Sequence, residues 1–247
     1  MPPKQGQNTP HMSVVIPAFN EEDRLGRTLT EASLFFSIKP YVTEIIVVDD
    51  GSKDKTIKLV MKAFNDREMR KLKNIKPYLK RHTFNQGKGA AVQTGIKAAS
   101  GSHVLIIDAD GATPISEFDK LYKEIHTHPI VIGSRDIGSE DRTLQGILRK
   151  VIGKTARMIT KLLFNLPVSD TQCGFKIFET TLAKQLAEDQ ITKRFGFDVE
   201  YLVKAHKRGA HIKEVGIRWH DKAGGKVDPI KDSFRTLKEL LKIKKHI

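Results

Sequence analysis

HVLIIDADGATP, residues 103–114, sets four apolar side chains in a row, Val104 to Ile107, ahead of two carboxylates, Asp108 and Asp110. An unbroken apolar run of this length is the pattern of a strand buried on both faces, as in a parallel sheet. The carboxyl edge of such a sheet is where open α/β folds bind their ligands. Two hard oxygen donors at that edge suit Mg2+ or Mn2+, ions that complete their shells with water and substrate phosphates, so a nucleotide is the natural guest. The same two residues would also serve to cap the next helix or to shape a turn.

Upstream, Ser13 to Ile16 reads as a short apolar strand that stops at Pro17. The loop Pro17 to Glu22 then enters a helix for which Asn20 is the expected N-cap, with Leu25, Leu29, Ala32 and Phe36 as its apolar stripe. A second buried strand, Glu44 to Val48, ends in Asp49-Asp50-Gly51-Ser52, and Thr56 to Phe64 reads as helix. Strand, crossover helix, strand and strand-end acids make half of a nucleotide-binding α/β sheet. Residues 65–76 are a charged, largely basic connector that reads as a solvated helix. Asn85 to Ala91 places two glycines and Lys88 before a helix from Ala90 to Ala99. Amides at a helix start beside an ammonium hold phosphate, although this spacing is not that of a P-loop.

Downstream, a helix from Glu117 to His126 and a strand from Ile130 to Ile132 lead to Gly133-Ser134-Arg135, which puts a guanidinium at the same edge as the acids. Between Leu144 and Phe164 apolar residues recur at helical spacing among Arg149, Lys150, Lys154, Arg157 and Lys161. That is the pattern of an interfacial helix, or of one packed on the sheet with its lysine stems over apolar surface. Asp170 to Lys176 is turn-like and precedes an apolar strand. A helix from Phe195 to Val203 carries Asp198 and Glu200 among aromatic residues, either as site groups with raised pKa or as solvated positions. Val215 to Trp219 reads as a late strand, and Ala223 to Lys226 as a loop with one cation. The last helix, Ile230 to Ile247, has Phe234, Leu237, Leu240 and Leu241 on one side, with six Lys/Arg against two acids.

Composition narrows the function classes. The 247 residues hold 43 Lys+Arg against 29 Asp+Glu, a net +14 that expects acidic company such as nucleotide, nucleic acid or an anionic membrane face. Aromatic residues are not interleaved with the basic clusters as single-strand stacking requires, which argues against nucleic acid. The one cysteine, Cys173, excludes an internal disulfide and reads as a small buried hydrophobe. No run approaches the ~18 apolar residues of a spanning helix, so a membrane role would be peripheral.

Taken together, VVIPAFNEE (14–22), VVDDGS (47–52), NQGKGAAVQTG (85–95), DADGATP (108–114), GSR (133–135) and DTQCGFKIF (170–178) resemble the inverting family 2 glycosyltransferases of the GT-A fold. Within that family the chain looks most like the dolichyl-phosphate glucosyltransferases and mannosyltransferases, and DADGAT and DTQCGFKIF look more like the glucosyl members. The resemblance implies a single Rossmann-like α/β domain over 13–229, a mostly parallel sheet flanked by helices. A disordered leader over 1–12 would precede it and a basic amphipathic helix over 230–247 would follow. It implies transfer of a hexose, glucose from UDP-glucose first, onto dolichyl or another polyprenyl phosphate, with Mg2+ or Mn2+ as cofactor. The alternatives are GDP-mannose as donor or a non-lipid glycan as acceptor.

Carried over by position, the resemblance implies that Pro17, Phe19 and Glu21 line the base and ribose pocket and that Asp50 meets the base. Asn20, Asp49, Lys88 and Ala109 would belong to the same nucleotide-sugar site. Asp108 and Asp110 would meet the ribose and hold the diphosphate-bound metal, with Asp110 also catalytic, and Arg135, Arg149 and Lys226 would meet the phosphates of acceptor and donor. A phosphate-monoester acceptor is largely anionic near neutral pH, its second pKa being about 6, so no strong general base is required. Many glucosyl members carry an N-terminal membrane anchor, whereas here the motifs begin at residue 14. That leaves 144–164 and the last helix, or a small membrane-anchoring subunit, to bring the enzyme to the cytosolic face of a membrane, the endoplasmic reticulum in a eukaryote.

Overall fold

The computed structural model describes residues 10–138, 159–160, 162–220 and 229–247, with the side chains of the last helix from residue 234 onward. The amino-terminal half alternates strand and helix: β1 (Met12–Ala18), α1 (Leu25–Ser37), β2 (Thr43–Asp49), α2 (Thr56–Asn65), α3 (Arg67–Lys71), β3 (Ile75–Arg81), α4 (Lys88–Ala98) and β4 (His103–Ile106). A 3-10 turn (Ile115–Glu117) leads into α5 (Phe118–Tyr122), β5 (Ile130–Ser134) and the single turn α6 (Arg135–Gly138). Then come β6 (Lys176–Glu179), α7 (Thr180–Glu188), α8 (Phe197–Lys207), β7 (Ile212–Gly216) and α9 (Pro229–His246).

The seven strands form one sheet in the order β3-β2-β1-β4-β6-β5-β7, parallel except for β6, which runs against both β4 and β5. Successive residues of the central strands feed opposite faces. Val15, Ile46, Val104 and Ile106 pack toward α4, α7 and α8, whereas Val14, Ile16, Ile45 and Leu105 pack toward α1 and α5. This two-sided burial is why β1 and β2 carry no alternation: all seven residues of each are buried. Helix α4 lies so close to β1 that a Cβ on Gly95 would stand 2.3 Å from Val15 Cγ1.

Several elements differ from the sequence reading for physical reasons. β1 begins at Met12, within the expected leader, and runs through Pro17. Val15 O accepts from Ile107 N, and Pro17, two residues on, turns its ring nitrogen to the same side, where β4 has already ended, so the missing N–H costs no ladder bond. The connector after α2 is helical only over α3, and its end runs into β3, whose Pro77 and mostly exposed residues disguise an edge strand. The helix expected over 117–126 begins as a 3-10 turn and ends at Tyr122, helix α7 replaces an unassigned stretch, and the late strand lies three residues earlier than expected. The basic segment 144–164 lies outside the described residues except for its end, where Ile159 and Leu163 are half-buried and Leu162 is exposed. Helix α9 docks on the body: Leu240 and Ile243 sit in the same core as α8, while Phe234 and Leu241 face outward.

Candidate active site

The carboxyl ends of β1, β2 and β4 open onto a cleft of about 380 Å³. Pro17, Phe19, Glu21, Asp50, Lys88, Asp108, Ala109 and Asp110 all line it, so eight of the residues singled out in the sequence converge on one place. Two do not. Asp49 is fully buried and accepts from Ser52 N at 3.2 Å, closing the turn after β2. Asn20 is not the N-cap of α1; it adopts a left-handed conformation (φ 53), and its Oδ1 accepts from Lys53 N at 2.8 Å. With Asn20 N donating to Ser52 Oγ (2.8 Å) and Glu21 N to Thr56 Oγ1 (2.7 Å), it ties the floor of the cleft to the loop after β2.

Asp50 organises one wall. Its Oδ2 accepts from Gly87 N at 2.7 Å, and its Oδ1 from Gln86 N at 2.9 Å and from His82 Nδ1 at 2.7 Å. Thr94 Oγ1, 2.9 Å from His82 Nε2, holds the ring. The amides of Gln86 and Gly87, just ahead of α4, are thus directed at a carboxylate of the protein. Gly87 is obligatory there, with φ 113 and a virtual Cβ 2.4 Å from Lys193 O. Asp50 keeps one acceptor position, on Oδ2, for a donor in the cleft.

The other wall carries the acids. Lys88 Nζ lies 2.5 Å from Asp108 Oδ1. Burial alone would lower the Lys88 pKa, but Asp108, with Asp198 and Asp110 behind it, outweighs that and raises it above the usual lysine value. Asp110 is pushed up, first by burial and then by the neighbouring Asp108 charge, against the pull of Ala112 N, Arg24 and Lys88. Asp110 Oδ1 also accepts from Ala112 N at 2.9 Å, so the carboxylate shapes a turn and faces the cleft at once. Gly174, in the DTQCG stretch, makes room for the pair: a Cβ there would stand 2.0 Å from Asp108 Oδ2.

These features fit a divalent cation. Two adjacent carboxylates, one of them raised in pKa by burial and by the charge of the other, are relieved by a shared cation, and both are hard oxygen donors. Among the described residues there is no cluster of three metal-ligating side chains, so most of the shell would come from water and substrate.

Arg135 stands outside the cleft lining. Its Nε and Nη2 donate to Asp170 Oδ2 and Oδ1, each at 2.8 Å, and its guanidinium lies 5.7 Å over the Trp219 ring. Burial favours the neutral Asp170, yet Arg135 holds the carboxyl below its usual range. Arg149 and Lys226 lie outside the described residues. Asp198 and Glu200 are neither solvated nor open to a substrate: Asp198 pairs with buried Lys176, and Glu200 accepts from Ile191 N (2.7 Å) and Thr192 N (2.8 Å). Cys173 is buried, which pushes its thiol up to about 12 and removes it as a nucleophile.

The cleft also contains residues the sequence did not single out as site residues, Arg24, Arg194 and Arg235 among them. Arg24 is clasped by Glu21, with Nε–Oε2 at 2.7 Å and Nη2–Oε1 at 2.6 Å, and the i, i+3 spacing of that pair was a legible signal. Arg24 Nη1 is buried with no hydrogen-bond partner among the described residues, 4.0 Å from Asp110 Oδ2. Arg194 sits at no strand end and had no such signal.

A mostly parallel sheet with paired acids at its carboxyl edge is the frame of a glycosyltransferase, and the chain belongs to glycosyl transferase family 2, whose model matches residues 13–187. Over 246 residues it is 34% identical to a dolichyl-phosphate beta-glucosyltransferase of Dictyostelium discoideum, covering 95% of this chain and 74% of that one. It is 31% identical over 252 residues to the human protein of the same name, covering 96% and 75%. Among solved structures, glucosyl-3-phosphoglycerate synthase from Mycobacterium tuberculosis in complex with Mn2+, UDP-glucose and phosphoglyceric acid has the same fold. Its TM-score is 0.65 at 20% identity, covering 95% of this chain and 80% of that chain.

Proposed function

We infer that this protein transfers glucose from UDP-glucose to dolichyl phosphate or a related polyprenyl phosphate, with inversion at the anomeric carbon. The observation that carries this is the convergence of Asp50, Lys88, Asp108 and Asp110 on one cleft, in a chain whose similar relatives bear the name dolichyl-phosphate beta-glucosyltransferase. Asp50, with its free acceptor position, would take the N–H of the base, while Pro17 and Phe19 supply apolar contact. Asp108 and Asp110 would hold Mg2+ or Mn2+, which neutralises charge on the departing diphosphate. Lys88, fully charged beside Asp108, adds a fixed cation at that edge. A phosphate oxygen of the acceptor attacks the anomeric carbon as its bond to UDP breaks, and UDP leaves with both bonding electrons. No side chain has to remove a proton from an acceptor that is already an anion. Arg135, Arg149 and Lys226 remain the proposed partners of the phosphates.

Among the described residues no helix is long and apolar enough to cross a membrane. The outward Phe234 and Leu241 alternate with Lys238 and Lys245 along α9, which supports peripheral contact with an anionic membrane face. The test is transfer of radiolabel from UDP-glucose, with GDP-mannose in parallel, into butanol-extractable lipid with Mg2+ or Mn2+ and dolichyl phosphate in detergent. Label from UDP-glucose alone is expected, and Asp110→Asn should lower it by about 100-fold or more, the cost of losing charge stabilisation at the leaving group. UDP released without labelled lipid would overturn the acceptor, and label from GDP-mannose would overturn the sugar.

A further inference from the structure

The four cations lining the cleft among the described residues are not equivalent. Glu21 clasps Arg24, and Asp108 pairs with Lys88. The Arg194 side chain is half-buried and makes no hydrogen bond or ion pair among the described residues. Arg235 reaches the same cleft from a different element, α9.

One carboxylate joins the two elements that carry these arginines. Glu239, one turn of α9 beyond Arg235, accepts from the backbone N–H of Lys193 (3.2 Å), Arg194 (3.0 Å) and Gly196 (2.8 Å). On its other side the 193–196 loop is braced against the start of α4, where Ala90 N donates to Lys193 O at 3.0 Å. Arg194 is therefore held on a rigid frame in a cleft without a carboxylate of its own, the arrangement of a group placed for a ligand. A guanidinium fork matches phosphate oxygens, and the two substrates of the proposed reaction bring more phosphate charge than the already paired Lys88 offsets.

We propose that Arg194 and Arg235 form a phosphate site in the cleft, separate from the Asp108–Asp110 pair, with Glu239 as its positioning residue. The proposal rests on the transferase reading of the cleft, under which two phosphate-bearing groups enter: the donor diphosphate and the acceptor monoester. Binding separates the two sources without requiring turnover. UDP, uridine and a short-chain polyprenyl phosphate are titrated calorimetrically into the wild type, the double variant Arg194→Gln/Arg235→Gln, and Glu239→Gln, with thermal melts reporting folding.

The double variant should lose about tenfold or more in affinity for one phosphate ligand, the scale of a lost charge-assisted hydrogen bond, and keep its uridine affinity. A loss on UDP assigns the pair to the donor; a loss on the polyprenyl phosphate with UDP intact assigns it to the acceptor. Glu239→Gln should weaken the same ligand, and Arg194→Lys should recover part of the loss. Unchanged affinity for both phosphate ligands overturns the site. Glu239→Gln weakening uridine as much as UDP overturns the positioning role, because a merely structural brace would also disturb the loop that holds Asp50. Wild-type protein that binds UDP but labels no lipid would count against the transferase reading, while the binding measurements still judge the arginine pair.

Discussion

Gly174 shows how one residue without a side chain serves the chemistry of another. Its Cα lies where any Cβ would overlap the Asp108 carboxylate, at 2.0 Å from Oδ2 and 2.4 Å from Cγ. Gly174→Ala should leave the fold intact, because Asp108 sits at the end of a strand and can swing aside. The carboxylate would then leave its place beside Asp110, and displacements of this size cost on the order of 100-fold in turnover. Sugar transfer measured beside a thermal melt checks this: activity should fall with little change in melting temperature. The acids themselves were legible in the sequence, since an apolar run ending in carboxylates has few readings. That Asp50 spends its lone pairs on Gln86, Gly87 and His82 was not, because those partners lie 32–37 residues away.

Among the elements, α9 departs furthest from its appearance in the sequence. Its basic, amphipathic pattern suggests a surface helix, yet Leu240 is 2% exposed and Ile243 fully buried. Leu240→Ala should cost about 2–5 kcal/mol, the usual range for a leucine deleted from a core, whereas Leu241→Ala at a 55% exposed position should change stability by less than about 0.5 kcal/mol. Chemical denaturation of the two variants measures both. Helical periodicity identifies an apolar stripe but not its counterpart, and here the stripe divides: one part meets α8, the other faces outward. Strand β3 was missed for the opposite reason, since an edge strand with Pro77 and exposed positions lacks the apolar run that marks its neighbours.

For the whole molecule, the edge of the sheet opposite the cleft sets how stability depends on pH. His103, at the start of β4, is pulled down to about 4 by burial and by the nearby His11 and His126. The unfolded chain restores its ordinary value near 6.5, so between these pH values the unfolded state binds a proton that the folded state refuses. Stability should therefore fall as the pH drops from about 6.5 toward 4, and Asp170, held low by Arg135, should add a further loss only below its own ordinary value of 3.8. Denaturation midpoints across pH 4–7 test this, and His103→Gln should flatten the upper part of the decline.

By itself the sequence determined the α/β class, the central strands and the acids at their carboxyl ends, because burial on both faces and strand-end carboxylates are properties of contiguous residues. It also carried enough motifs in register to indicate the family. Only the tertiary structure decided that β6 runs antiparallel, that Asn20 serves the loop while Asp50 faces the cleft, that Arg194 and Arg235 reach that cleft, and that Glu239 holds the 193–196 loop. Those outcomes depend on contacts between segments far apart in the chain, and such contacts leave no local pattern in either partner.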